Sequence, residues 1–307
     1  MKLKFIIFSL ALAATGIIAQ AVNPSFNVAS YNLRNKNAVD DAAGNGWERR
    51  CPYVANLIRF HDFDIFGTQE GLNVQLEDLK KALPGYDYIG AGREDGKKEG
   101  EYSAIFYSTD LFEPVEHGDF WLSETPDRPG LGWDAACVRI CTWGKFRHKP
   151  SGREFLFFNL HMDHVGTTAR VESAKLIKRK IDELGSELPT FLTGDFNVDQ
   201  HSPSYATITE GGTLLDSHDV ADFVYQNNGT FNNYRTDGFS ESRIDHIFVS
   251  PNVHVNKYGV LTDTYRTIEE NSAPQKTTDA PAELKITTVK ARTPSDHFPV
   301  KTVVELR

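Results

Sequence analysis

Thr190-Phe191-Leu192-Thr193-Gly194-Asp195-Phe196-Asn197 is the stretch on which the reading of this chain turns. Its apolar and β-branched start, residues 190–194, reads as a short buried strand that delivers Asp195 and Asn197 at its carboxyl end. Strand ends of that polarity are where α/β proteins place ligand groups. Taken alone, the segment also fits an ordinary turn, because Gly, Asp and Asn are all turn formers. The surrounding chain breaks the tie by repeating the arrangement. Residues 155–160 read as a strand ending on His161 and Asp163, followed by a helix over residues 168–184 with Lys and Arg on its outer face. Further out, the strand over residues 26–31 ends on Asn32, and residues 64–68 end on Gln69-Glu70. Asp245 opens a strand over residues 245–249, and Asp296-His297 directly precede one over residues 298–306.

The remaining pattern supports sheets packed between helical layers. Residues 47–60 and 74–83 read as amphipathic helices, the second stopped by Pro84-Gly85. Strands are expected over residues 86–91, 102–108, 112–122, 136–146, 230–234, 244–249 and 253–261. No repeat or low-complexity linker interrupts them.

Residues 1–21 open with Lys2 and Lys4, run through an apolar stretch and close on Ala19-Gln20-Ala21, the pattern of a secretory signal peptide. The apolar run is short for a bilayer and no charged stop follows it. Cleavage is expected after Ala21, leaving residues 22–307 as one domain in a periplasm or outside the cell, with no stable membrane insertion. Without Lys2 and Lys4 the chain has 31 basic against 42 acidic side chains, a net charge of −11. Such a surface disfavours nonspecific binding of long polyanions. An export context permits a disulfide. The three cysteines, Cys51, Cys137 and Cys141, leave at least one thiol free. Cys137 and Cys141 fall on one expected strand, too far apart to bridge, so all three read as small buried hydrophobes.

Asp, Glu and Asn oxygens at six strand ends form a hard donor set that suits Mg²⁺ or Mn²⁺ and leaves room for a phosphate. In order along the chain stand Ser30-Tyr31-Asn32, Thr68-Gln69-Glu70, Asn159-Leu160-His161-Met162-Asp163-His164, Gly194-Asp195-Phe196-Asn197, Ile244-Asp245-His246 and Ser295-Asp296-His297. In that order they resemble the signatures of the endonuclease/exonuclease/phosphatase superfamily, whose deoxyribonuclease I-like fold is a four-layer α/β sandwich of two packed mixed β-sheets flanked by helices. The likeness covers nearly all of residues 22–307 and includes an exported bacterial branch similar to nocturnin-like deadenylases.

That resemblance implies a Mg²⁺-dependent phosphoesterase (Mn²⁺ being the alternative) using direct water attack. It makes Glu70 the principal metal carboxylate with Asn32 and Asp296 beside it. Asp195 orients or deprotonates the attacking water, and Asn197 holds the phosphate or that water. His297 contacts phosphoryl oxygens or moves a proton, with Asp245 fixing its tautomer, and His161 donates to a non-bridging oxygen. Many family nucleases carry an acid two residues after the first Asn, where this chain has Arg34. One tightly bound metal is therefore expected rather than two, with Arg34 facing a substrate phosphate or forming a surface ion pair.

The polar, Gly-rich residues 92–102 read as a mobile loop over the site. Arg93 and Glu101 from it, with Arg139, are candidate substrate contacts. Trp121 and Trp133 fit either packed loops or a stacking platform. A His161–His164 zinc pair has no third soft ligand at a suitable spacing, and His164 and His246 read as supporting residues.

The substrate stays open at this level. The first option is a single-stranded nucleic acid or another small phosphodiester. The second is a phosphoester of the sphingomyelinase, inositol-phosphate or sugar-phosphate kind, although no aromatic-tipped membrane hairpin is present. The third is a catalytically inactive binding scaffold. A monomer is expected.

Overall fold

Strict alternation along the strands builds two apolar faces, and each face finds its own partner layer. Residues 23–185, 187–268, 272–276, 279 and 281–307 are described by the computed structural model; the expected leader over residues 1–21 lies outside them. In chain order the elements that frame the site begin with β1 (Ser25–Asn32), α1 (Ala38–Ala42), α2 (Trp47–Phe60), β2 (Ile65–Gln69) and α3 (Asn73–Ala82). Next come β3 (Tyr86–Ile89), β4 (Ile105–Ser108), β5 (Phe112–Trp121), β6 (Ile140–His148), β7 (Glu154–His161), α4 (Thr167–Gly185) and β8 (Thr190–Asp195). The chain continues through α5 (Pro203–Thr209), β9 (Leu215–Asp216), α6 (Ser217–Val220) and β10 (Phe223–Tyr225). It closes with β11 (Asp245–Val249), β12 (Val253–Val260) and β13 (Val300–Leu306).

One sheet has seven strands in the order β10-β12-β13-β1-β2-β4-β3, the other six in the order β9-β11-β8-β7-β6-β5. On β7, Phe155 and Phe157 face the other sheet, while Leu156, Phe158 and Leu160 face α4. On β1, Phe26 and Val28 turn inward, while Ala29 and Tyr31 pack against α2 and α3. Each fully buried side chain of this size contributes about 1.5–3 kcal/mol. The result is the expected four-layer α/β sandwich.

Two parallel pairs decide where the chemistry goes. β1 runs parallel to β2, and β7 runs parallel to β8, so the carboxyl ends of all four reach one edge of the sandwich. There Asn32 stands opposite Gln69, and Asp195 stands opposite both His161 and Asp245. Beneath them a polar plug locks one sheet to the other. Asn159 donates to the carbonyls of Thr68 (2.8 Å) and Ala104 (3.0 Å), and accepts from Gln69 (2.7 Å) and Thr193 (3.0 Å). Gly67 makes room for this plug: a Cβ there would collide with Asn159 and Thr193.

Three expectations need correction. Residues 230–234 form no strand: a single bridge ties Phe231 to His297, and Asn233 and Tyr234 adopt left-handed φ values of 50° and 58° that end any extended run. The strand expected from residue 136 starts only at Ile140, because the preceding backbone is drawn to Asp163; Cys137 is therefore a loop residue. Residues 92–102 are tied down rather than loose. Arg93 N–H donates to the Glu101 carbonyl at 3.1 Å, Glu94 N–H to Glu99 at 3.1 Å, and Trp121 Nε1 to the Arg93 carbonyl at 2.7 Å. Trp121 is thus a packed anchor, and Trp133 is half-buried against the outer core that includes Phe120 and Leu122. All three cysteines are free. Among the described residues no helix is long and apolar enough to cross a membrane.

Candidate active site

The strand ends converge on one cavity of about 390 Å³, lined among others by Glu70, Asp195, Asn197, His161, Asp296 and His297. Turning out of a strand and into that cavity requires unusual backbone. Arg34, Glu70 and Asn197, each one or two residues past a strand, have φ of 55°, 61° and 51°. Non-glycine residues held there cost about 1–3 kcal/mol each and cluster where function demands them.

Asn32 sits at the centre of the floor. Its side-chain amide donates to Glu70 Oε1 at 3.1 Å and to Asp195 Oδ2 at 3.0 Å, while its oxygen accepts the Arg34 N–H at 2.9 Å. Asn32 thus bridges the carboxylates of Glu70 and Asp195. Ligand atoms of Glu70, Asp195 and His297 lie within 4.8 Å of one another. Asp296 lines the same cavity but stands outside that compact set, 3.7 Å from Arg34 Nε.

The expected acid–imidazole pair is present. His297 Nδ1 lies 2.8 Å from Asp245 Oδ2, with both side chains buried, and His297 Nε2 points toward Asp195 Oδ2 at 3.8 Å. Burial alone would push His297 toward its neutral form, yet the carboxylates of Asp245 and Asp195 outweigh it and raise its proton affinity well above that of free imidazole. Asp195 is driven the opposite way from an ordinary ion-paired carboxylate. Burial, then repulsion from Asp245, raises its pKa, and the pull of His297 only partly offsets this. Asp296 is likewise raised, by burial first. Three carboxylates crowded against one imidazolium form a site short of positive charge.

His161 is different. Burial, reinforced by Arg139 and Arg93, pushes its pKa well below normal, so it is neutral. Asn197 Nδ2 lies 2.9 Å from its Nε2, and with the amide so oriented the ring proton sits on Nδ1, which has no hydrogen-bond partner among the described residues. That nitrogen is buried as well as unpartnered. Asn197 itself is held by its N–H on Asp195 Oδ1 at 2.9 Å and by donation to the Met162 carbonyl at 2.9 Å.

Three arginines ring the cavity, each already paired with an acid. Arg34 Nε donates to Asp40 at 2.8 Å, Arg93 Nη1 to Glu101 at 2.6 Å, and Arg139 Nε approaches Asp163 at 3.4 Å. Asp163 has a depressed pKa: the backbone N–H groups it accepts, led by Gly166, overcome its burial. His161 and His164 do not pair as a metal site. His164 Nδ1 faces Arg139 at 3.2 Å, and His246 lies buried outside the cavity.

Sequence reasoning missed two residues here, and the role of a third. Asn35 ties the site together, its N–H on Glu70 Oε2 at 3.1 Å and its side chain on Glu101 Oε1 at 3.0 Å. Asp163 was visible as a polar strand-end residue, but not as the holder of Arg139. Phe231 carried no signal, since its place follows from the bridge to His297.

The model of the Endonuclease/Exonuclease/phosphatase family matches residues 25–297. An endonuclease/exonuclease/phosphatase family protein from Bacteroides thetaiotaomicron is 57% identical, covering 93% of this chain and 99% of its own, at a TM-score of 0.87. Bacteroides thetaiotaomicron mannosyl-6-phosphatase Bt3783 is 58% identical, covering 91% and 99%, at a TM-score of 0.84. Uncharacterized protein L388 of Acanthamoeba polyphaga mimivirus is 32% identical over 161 residues, which span 50% of this chain and only 60% of that relative's length. The chain belongs to the endonuclease/exonuclease/phosphatase family, whose members are metal-dependent hydrolases of phosphate esters.

Proposed function

We propose that this chain is a Mg²⁺-dependent phosphatase that releases inorganic phosphate from a small sugar phosphate of the hexose 6-phosphate type. The observation that carries this reading is the 58% identity to a mannosyl-6-phosphatase over nearly its whole length. The charge of the site supports it. An overall acidic chain with Glu101 at the cavity wall disfavours a substrate that brings several phosphates. This moves the sugar-phosphate option ahead of the nuclease option.

The donors fit a hard divalent cation. Glu70 and Asp195 offer carboxylate oxygens beside the His297 ring, with Asp296 nearby. Glu70 would hold the ion, with Asp296 flanking it. When bound, it supplies positive charge to the phosphoryl oxygens.

The chain's own groups do the rest. Asp195, held by Asn32 and the Asn197 N–H, accepts a proton from the attacking water. The new P–O bond forms as the ester P–O bond breaks, and the departing sugar oxygen takes a proton from solvent. The imidazolium of His297, kept in register by Asp245, donates to phosphoryl oxygens as charge builds, with the neutral His161 lining the same cavity. Export by the leader over residues 1–21 belongs to the same reading.

The test is phosphate release by the purified protein from mannose 6-phosphate and glucose 6-phosphate, beside single- and double-stranded DNA, RNA and sphingomyelin. Turnover of the sugar phosphates is expected, lost on chelation, restored by Mg²⁺ and absent from Asp195→Ala. Turnover confined to nucleic acid would restore the nuclease option, and none at all would leave a binding scaffold.

A further inference from the structure

We propose that the cavity contains a preformed slot for a sugar ring, with Glu101 and Arg93 reading its hydroxyls and Phe231 carrying its apolar C–H face. The inference rests on the sugar-phosphate reading and deepens it, because it names the residues that choose the alcohol half of the ester.

The slot follows from how the site is wired. From His297 a continuous line of contacts runs through Asp195, Asn32, Glu70 and Asn35 to Glu101 and Arg93. At the other end Phe231 packs edge-on against the His297 ring, with centroids 5.0 Å apart. Phe231 and the Glu101–Arg93 pair line the same cavity as the phosphoryl-handling groups.

Glu101 stands apart from the compact group of Glu70, Asp195 and His297. Its side chain is 16% exposed, burial raises its pKa despite Arg93, and it lies near Glu70 without belonging to the compact metal set. Burying an anion there costs free energy that a merely structural residue could avoid. Each of its oxygens accepts one hydrogen bond, from Asn35 and from Arg93, and each keeps a second acceptor site. Two acceptor sites on one carboxylate match two neighbouring hydroxyl donors. Arg93 spends two of its five N–H groups, on Glu101 and Glu94, and the other three have no partner among the described residues. Acceptor and donor side by side suit hydroxyls, which both give and take.

Both walls are fixed in advance. Arg93 is pinned through its own carbonyl by Trp121 and through its N–H by Glu101. The Phe231 backbone is bridged to His297. Phe231 is 44% exposed and is the sole Phe, Tyr or Trp among the residues lining the cavity. A pyranose needs such an assembly: an apolar plane under its ring hydrogens and a few placed polar groups at its edge. A polynucleotide would instead press its next phosphate toward Glu101.

The test compares kcat/KM for mannose 6-phosphate with that for phenyl phosphate, which has the ester but no ring hydroxyls, in the unaltered protein, Glu101→Gln and Phe231→Ala. Losing charge-assisted hydrogen bonds should lower the mannose-to-phenyl ratio about ten- to hundredfold in Glu101→Gln, mainly through KM. Phe231→Ala should lower kcat/KM for the sugar, and Phe231→Tyr should restore it. Deoxy analogues of the sugar phosphate should be penalised in the unaltered protein but much less in Glu101→Gln. If Glu101→Gln lowers both substrates equally, the carboxylate serves Glu70 or the fold and the slot is wrong. If the sugar phosphate is turned over with unchanged selectivity by both Glu101→Gln and Phe231→Ala, the slot is wrong while the phosphatase reading stands. If the unaltered protein hydrolyses phenyl phosphate but no sugar phosphate, the functional reading fails and the slot falls with it.

Discussion

Two buried acid–cation pairs begin two residues apart in the chain and serve opposite ends. Arg243 pairs with Asp216 at 2.8 Å, and Asp245 pairs with His297 at 2.8 Å; all four residues are at most 5% exposed. In the first pair both oxygens of Asp216 are used: Oδ2 accepts from Arg243 and from the Tyr205 hydroxyl at 3.0 Å, and Oδ1 accepts the His218 N–H at 2.9 Å, capping α6. In the second, Asp245 Oδ1 has no partner among the described residues, and His297 opens onto the cavity beside a second carboxylate. A saturated pair holds helices and strands together. An unsaturated pair keeps charge in reserve for a ligand.

The same substitution at both sites is the sharpest way to break this comparison. Asp245→Asn keeps an acceptor for His297 Nδ1 but removes the charge that sustains the imidazolium. Turnover should fall about 10²–10⁴-fold, the usual worth of a positioned proton-transfer group, with an unfolding midpoint close to that of the unaltered protein because repulsion with Asp195 is relieved. Steady-state kinetics beside a denaturant titration reads both. Near-normal turnover would remove the pair from the reaction.

Asp216→Asn should do the reverse. Taking one partner from a fully buried pair leaves Arg243 with only the exposed Asp219 at 3.9 Å, and such a loss typically costs about 3–5 kcal/mol. Activity per folded molecule should stay within a few-fold, since neither residue lines the cavity. If this variant loses catalysis as steeply as Asp245→Asn, the division between holding and reacting is false.

How much of this was legible depended on distance along the chain. Asn32, Glu70, Asp195 and His297 were readable because each follows or precedes a strand whose alternation is local, and the four-layer fold followed from the same alternation. The helices over residues 47–60 and 168–184 were readable for the same reason, to within a residue at each end. Residues 203–220 gave no such signal, because α5 and α6 are single short helices set by their caps, Ser202 and Asp216. The partnership of Asp245 with His297 spans 52 residues and is fixed by where β11 enters the sheet and by the bridge from Phe231 to His297, so the sequence offered it only through resemblance. Arg34 was legible as a departure from pattern, but its ion pair with Asp40 depends on α1, which the sequence did not announce. Asn32 was legible as a strand-end residue, but its bridge between Glu70 and Asp195 was not, because those neighbours are 38 and 163 residues away in the chain.

Acid should sharpen the comparison by its smallest effect, and the sign is fixed by the direction of one shift. Although burial opposes it, His246 and Arg243 hold Asp216 well below the usual carboxylate range in the folded chain. A group whose folded pKa is depressed contributes stability above its unfolded pKa, about 3.9, and loses it as pH falls toward the folded value. The gap in unfolding free energy between the unaltered protein and Asp216→Asn should therefore stay level from neutral pH to about pH 5 and narrow below about pH 4, where the unfolded state alone takes up the proton. Denaturant titrations at a few pH values across that range distinguish the two curves. Parallel curves would mean that the Asp216 pair gains nothing from its charge and is held by packing alone.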